Sequence, residues 1–318
     1  MMGRMRINRR DAMRVLGAGA ATLVAGASRG EDEDEGESPV TALLTRPIPS
    51  TGEPIPVIGL GTWQTFDVAP TDSARAPLSD VLAAFAELGG KLVDSSPMYG
   101  RSEEVVGDLA ARLGLSSSKK LFVATKVWTK GRAAGIRQMD DSMRKLRVAP
   151  PLDLMQVHNL VDVDTHLATL REWKRAGRVR YVGVSHYAAS AHDAVAAVLE
   201  KEPLDFLQIN YSVGEREAER RVLPLAREKG VAVIANRPFA GGSLLGRFGK
   251  RPVPDFAKEI GCASWAQLLL KFAVSHPAIT CAIPATAKVA HLRDNMAALR
   301  GALPDESLRA RIAAAATE

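Results

Sequence analysis

The chain has only two cysteines, Cys262 and Cys281, in 318 residues. A disulfide framework cannot carry a fold of this length, so an apolar core must, and the 46% apolar content is ample for one. Both cysteines lie in apolar stretches, and Cys281 falls within an expected strand, which predicts two free buried thiols. Long apolar runs are also missing. The most apolar early stretch, Val15 to Gly26, is too short and too weakly apolar for a membrane span. No G-x-G-x-x-G fingerprint follows the first strand-like run, where Trp63-Gln64-Thr65 stands instead. Acidic charge is nearly absent from the first 27 residues, which hold five arginines against one aspartate and carry +4 of the chain's +6. The remainder carries +2, so the basic balance gives no argument for a nucleic-acid partner.

Those first 27 residues have the three-part plan of an export signal. Arg4, Arg6, Arg9, Arg10 and Arg14 precede the apolar stretch, and Ala25-Gly26-Ala27 offers a small-residue cleavage site. Asn8-Arg9-Arg10-Asp11-Ala12-Met13-Arg14 resembles the twin-arginine box, with Ala12 where a bulky apolar residue is usual. That resemblance implies export in folded form by the twin-arginine machinery, a periplasmic destination and no membrane attachment after signal removal. Residues 31–37 then place six acids in seven positions. The run repels itself and reads as a disordered linker over 28–40, ahead of one domain at 41–318.

The body alternates. Near-continuous apolar runs at 57–61, 91–94, 121–126, 152–158, 179–185, 205–210, 231–235 and 279–283 suit strands buried on both faces of a parallel sheet. Helix-periodic stretches separate them at 78–88, 102–113, 132–147, 164–176, 188–200, 216–229, 262–275 and 288–299. Eight strands alternating with eight helices predict an α/β fold of the (β/α)8 TIM-barrel type. A doubly wound open sheet is the alternative, disfavoured by strand number and by the missing fingerprint. Residues 43–58 read as a β-hairpin, with Ser50-Thr51-Gly52-Glu53 as its turn, closing the barrel floor. Residues 238–256 read as an irregular functional loop.

Polar residues recur where these strands end. Asp94, Lys126 and His158 close the second, third and fourth strands, each 32 residues from the next, and Tyr99 follows Asp94 in a short loop. In a barrel, groups at the C-terminal strand ends meet at one site. A lysine drawn into that mouth needs a carboxylate partner, and Asp94 is the natural one. A neighbouring ammonium is expected to lower the pKa of Tyr99 from about 10, fitting it as a general acid. His158 can orient a carbonyl oxygen or share its proton. A metal-dependent hydrolase would need clustered ligands, often His-x-His after the first strand; Gly61-Thr62-Trp63-Gln64 offers none, so no metal is expected.

The body resembles the aldo-keto reductases. The matching pieces are IGLGTW (58–63), Asp94-Ser95-Ser96-Pro97-Met98-Tyr99-Gly100, ATKVW (124–128), QVHN (156–159), GVSHY (183–187), LQINYS (207–212) and IPATAKVAHLRDN (283–295), in the family's order and spacing. The resemblance implies NAD(P)H-dependent reduction of an aldehyde or ketone. Tyr99 would be the proton donor, Lys126 and Asp94 its tuning pair, and His158 the imidazole at the carbonyl. Ser185, His186 and Gln208 would hold the nicotinamide amide. The loop Phe239 to Leu244, with Gly241 and Gly242, would hold the pyrophosphate. Thr286, Lys288, His291, Asp294 and Asn295 would meet the adenosine end. NADPH is favoured over NADH, with Lys288 and His291 near a 2′-phosphate.

The sequence departs from the family at two points. His186 stands where the family has Asn after the Ser of G-V-S. Asn236-Arg237 replaces an aromatic residue that stacks on the nicotinamide in many members, leaving Tyr211 or Phe239 as substitutes. Trp63, Met98 and Trp128 would wall the substrate pocket. Residues 159–164 are short, and only 18 residues follow Arg300, which predicts an open pocket for small or varied carbonyls. A monomer is expected. The competing class is a non-catalytic nicotinamide-binding sensor of the same fold, which the complete Tyr99, Lys126, Asp94 and His158 set argues against.

Overall fold

The computed structural model describes residues 42–116 and 120–316. The expected export signal and acidic linker lie outside the described residues. Two short antiparallel strands come first, β1 (Thr45–Pro47) and β2 (Pro54–Pro56). Gly52 turns the chain between them at φ +77°, a conformation that favours glycine. The barrel elements follow as β3 (Leu60–Gly61), α1 (Asp72–Glu87), β4 (Leu92–Asp94), α2 (Ser102–Arg112), β5 (Phe122–Val127), α3 (Arg132–Lys145), β6 (Leu152–His158), α4 (Val163–Arg175) and β7 (Val179–Ser185). Then come α5 (His192–Lys201), β8 (Phe206–Asn210), α6 (Val222–Glu228), β9 (Ala232–Asn236), α7 (Ser243–Phe248), α8 (Trp265–Ser275), β10 (Ile279–Ala282), α9 (Val289–Ala297) and α10 (Glu306–Ala315).

Strands β3 to β10 pair in parallel in sequence order. The seam closes where the Gly59 amide donates to the Ala282 carbonyl at 2.8 Å and the Gly61 amide to that of Pro284 at 3.0 Å. The sequence Gly59-Leu60-Gly61 permits this approach, because a Cβ at Gly59 would stand 3.1 Å from Ile283 Cγ2 and 3.2 Å from Cys281 Sγ, and one at Gly61 2.9 Å from the Ile283 carbonyl oxygen. The first barrel strand is shorter than the expected 57–61. Val57 to Gly59 serve the seam instead, meeting β10 through an isolated bridge from Ile58 to Ala282.

Two apolar layers hold the fold. The larger lies between strands and helices; the smaller fills the barrel and includes Leu92, Phe122, Leu154, Tyr181, Phe206, Ile234 and Cys281. Ile48 and Ile55 of the hairpin region join the inner layer, and the Thr51 and Tyr181 hydroxyls lie 2.8 Å apart, so the hairpin plugs the floor as its position implied. Both cysteines are free and buried.

Helix ends differ from the periodicity where caps override it. Helix α1 starts at Asp72 rather than near 78, because the Thr71 hydroxyl accepts from the Ala74 amide and the helix continues through Pro77. The stretch 238–256 is less irregular than expected, since it holds α7. Helix α10, absent from the eightfold pattern, is capped by Asp305 accepting from Leu308 at 2.8 Å and packs on α8.

Candidate active site

The inner apolar layer ends upward in a polar one. Asp94, Gln156 and Gln208 come from β4, β6 and β8, which are alternate strands, as barrel layers require. Gln208 Nε2 donates to Asp94 Oδ1 at 2.8 Å and Gln156 Nε2 to the same oxygen at 3.3 Å. The other oxygen, Oδ2, accepts from Lys126 Nζ at 2.6 Å. Lys126 is fully buried and also donates to the Ser95 carbonyl at 2.7 Å. Burial alone would lower its pKa, but Asp94 and Tyr99 outweigh that and raise it, so the ammonium is retained.

Half-buried Tyr99 presents its ring to that ammonium, with Nζ 4.9 Å from the ring centroid. Its pKa moves opposite to the expected direction. Burial pushes the phenol above the ordinary tyrosine value; Lys126 opposes this and Asp94 adds to it. Tyr99 therefore holds its proton firmly through neutral pH. The His158 ring stands edge-on to Tyr99, with centroids 6.5 Å apart. Burial first, then the charge of Lys126 and the nearby His186, pull its pKa down to about 3. It is a neutral imidazole, which favours orienting a carbonyl over sharing a proton. Its Nδ1 lies 2.8 Å from the Ser185 hydroxyl. When that hydroxyl donates to Nδ1, the ring proton sits on Nε2.

The residues expected at the cofactor lie around the same end of the barrel and on α9. His186 Nδ1 accepts from the Tyr187 amide at 3.1 Å and the Ala188 amide at 3.2 Å, which leaves Nε2 as the proton-bearing nitrogen. Gly241 and Gly242 take φ of +68° and +97° in the loop after β9, and Phe239 and Leu244 of that loop are buried. Thr286 Oγ1 accepts from the Lys288 amide at 3.1 Å, while Lys288 and His291 are exposed at the start of α9. Asn295 is buried. The Asp294 carboxylate instead accepts from Ser264 Oγ at 2.9 Å and Gln267 Nε2 at 2.6 Å, tying α9 to the start of α8.

Neither aromatic substitute for the stacking position can serve. Tyr211 is fully buried, stacks on Phe272 and bonds Glu219 and Arg309, away from the mouth. Phe239 packs into the outer apolar layer. Among the described residues the exposed large hydrophobic side chains are Trp63, Met98, Trp128 and Tyr187, which follow β3, β4, β5 and β7. Trp63, Met98 and Trp128 are the residues expected to wall the pocket, and Tyr187 follows a strand at the same end. Gln156 is a further site residue that sequence reasoning missed. The usable signal was its place two residues before His158, on the same strand face, and in register with Lys126.

The fold and site together define a (β/α)8 barrel with a proton-holding phenol beside a buried ammonium–carboxylate pair. The profile described as "Aldo/keto reductase family" matches residues 57–315, and the chain belongs to that family. Methylglyoxal reductase YeaE of Escherichia coli (strain K12) is 30% identical over 261 residues, covering 80% of this chain and 89% of that protein. Aldo-keto reductase YhdN of Bacillus subtilis (strain 168) is 29% identical over 215 residues, 63% of each chain. The aldo/keto reductase of Klebsiella pneumoniae, solved in complex with NADP and acetate, superposes with a TM-score of 0.69 at 26% identity, covering 82% of this chain and 91% of that one.

Proposed function

We propose that this protein reduces small aldehydes or ketones to alcohols with NADPH, and that Tyr99 donates the proton. The supporting observation is the pairing of a protonated Tyr99 with the buried Lys126–Asp94 pair and a neutral His158. Nicotinamide, when bound, supplies the hydride that goes to the carbonyl carbon. His158 can donate from Nε2 to the carbonyl oxygen and hold it near Tyr99. As negative charge grows on that oxygen the phenol gives up its proton, and Lys126 stabilises the phenolate left behind. Gln156 and Gln208 hold Asp94, which holds Lys126.

The residues present suit a dinucleotide. Nothing lies within 4 Å of where a Gly242 side chain would stand, so a phosphate has room to approach the chain there. His186 can donate to the nicotinamide amide from Nε2. Lys288 and His291 offer donors for a 2′-phosphate, which supports NADPH over NADH. Trp63, Met98, Trp128 and Tyr187 form an open apolar mouth for small or varied carbonyls.

The test is NADPH oxidation over a panel of aldehydes and ketones, with Tyr99→Phe as the control. The variant is expected to bind NADPH, followed by fluorescence, and to lose turnover at least 1000-fold, about 4 kcal/mol of transition-state stabilisation. Equal rates in the two proteins would sink the mechanism.

The same reading takes residues 1–27 as a twin-arginine signal, 28–40 as a linker, and the mature protein as a periplasmic monomer exported folded with nucleotide bound. Arg9, Arg10 and the apolar stretch behind them support it. Arg9→Lys with Arg10→Lys should retain the protein in the cytoplasm. An exported fraction free of nucleotide would refute the carriage of cofactor.

A further inference from the structure

Three buried polar atoms near the ends of the neighbouring strands β8 and β9 have no hydrogen-bond partner: Ser212 Oγ, Asn236 Oδ1 and Arg237 Nε. Such orphans are rare in folded proteins, and each calls for a reason. Arg237 gathers most of the anomaly. It holds φ +53°, a left-handed conformation uncommon for a side chain of its size. Its guanidinium lies over the backbone of Gly241, with Nη2 3.4 Å from where a Cβ would stand. The loop beneath it is left-handed over three residues, Ala240, Gly241 and Gly242, at φ of +49°, +68° and +97°.

The guanidinium holds its carboxylate partner only weakly. Nη2 reaches Glu215 Oε1 at 3.4 Å, and the other oxygen of that carboxylate takes a second stretched bond, from Asn210 Nδ2 at 3.4 Å. Neither contact is of charge-assisted length. The Nε–Nη2 edge of arginine is a planar fork that matches two oxygens of one phosphate. Here one prong is bonded poorly and the other not at all.

We infer that Arg237 is a nucleotide-binding residue: its guanidinium grips the bridging pyrophosphate of the dinucleotide over Gly241, and Glu215 is the internal carboxylate which that pyrophosphate displaces. The inference rests on the nicotinamide-dinucleotide reading of the site. It also accounts for the polar pair at the end of β9. A charged clamp on the phosphates holds the cofactor where Asn236 takes the place of a stacking aromatic and Tyr211 and Phe239 are turned into the outer layer. Exchanging a carboxylate for a phosphate leaves the arginine paired in both states, so the charge is at no stage stranded.

The test compares two probes on the full chain by calorimetry and ligand-observed NMR. 2′-Phospho-ADP-ribose keeps the pyrophosphate and lacks nicotinamide; 2′-AMP lacks the pyrophosphate. Arg237→Ala is expected to weaken 2′-phospho-ADP-ribose about 10- to 100-fold and 2′-AMP less than about threefold. Arg237→Lys should fall between, because it keeps the charge and loses the fork. Glu215→Gln should tighten 2′-phospho-ADP-ribose about two- to fivefold by removing the competitor, and it keeps the test open should Arg237→Ala not fold. If the wild type binds neither probe, the cofactor reading falls and this inference with it. If the wild type binds and Arg237→Ala binds equally well, or weakens both probes alike, only the inference is overturned. Weaker binding by Glu215→Gln overturns the displacement.

Discussion

The side-chain amide of Gln208 donates to Asp94 Oδ1 at 2.8 Å across the barrel, from a strand four positions away. The family resemblance assigns Gln208 to the nicotinamide, yet its shortest bond steadies the carboxylate that holds Lys126. Gln208→Leu should therefore do more than weaken cofactor binding. A hydrogen bond to a buried charge is worth about 1.5–3 kcal/mol, and urea denaturation should show a loss of that size. A change within about 0.5 kcal/mol would mean the Asp94 bond is idle.

Lys126 and Asp94 should prove more costly to separate than to remove together. Lys126→Met leaves Asp94 buried without its countercharge, which typically costs about 3–5 kcal/mol. The double variant Lys126→Met with Asp94→Asn should recover a good part of that stability while remaining inactive. If denaturant midpoints show the two losses adding, the pair is not coupled as its 2.6 Å bond implies.

Acid should destabilise the protein through buried histidines as well as carboxylates. His158 in the folded state sits at about 3 and His276 at about 4, against an ordinary value of 6.5, in both cases chiefly from burial. Between these values and 6.5 the unfolded chain binds more protons than the folded one. Stability therefore rises with pH in that window and is lost as pH falls through it, by up to about 1.4 kcal/mol per pH unit for each group. His158→Gln should flatten the slope of stability between about pH 4 and 6. In the reductive direction, kcat should show no inflection near the ordinary histidine value of 6.5, because His158 is already neutral and Tyr99 still protonated.

Neither thiol should react in the native protein. Burial pushes Cys262 up to about 11 and Cys281 higher still, so neither offers a thiolate. A chromogenic disulfide reagent should titrate close to zero thiols in buffer and two in denaturant. Reductant should leave the melting temperature unchanged.

The barrel was legible because its strands are apolar on both faces and recur at regular spacing. Asp94, Lys126 and His158 were legible because each breaks such a run at its end. Gln156 was not, since an amide inside a strand looks like any polar interruption until its partner across the barrel is known. The start of helix α1 was hidden because Pro77 reads locally as a break, whereas the Thr71 cap decides where the helix begins. The direction of the Tyr99 shift was hidden for a different reason. Its proton affinity is a balance between one visible charge and a burial that only the folded chain defines. The same holds for Tyr211, whose facing depends on Arg309 and Glu219, 98 and 8 residues away.

Asp94 is gripped by side chains from β5, β6 and β8, so its geometry exists only once most of the ring of strands has been drawn together. The proton machinery is thus indivisible. Neither half of the barrel, expressed alone, holds the whole arrangement: β3 to β6 would lack the Gln208 brace on Asp94, and β7 to β10 would lack Asp94, Tyr99, Lys126 and His158. Activity in this chain reports on completed assembly, and a split or permuted version should regain turnover only in step with the closing of the whole ring.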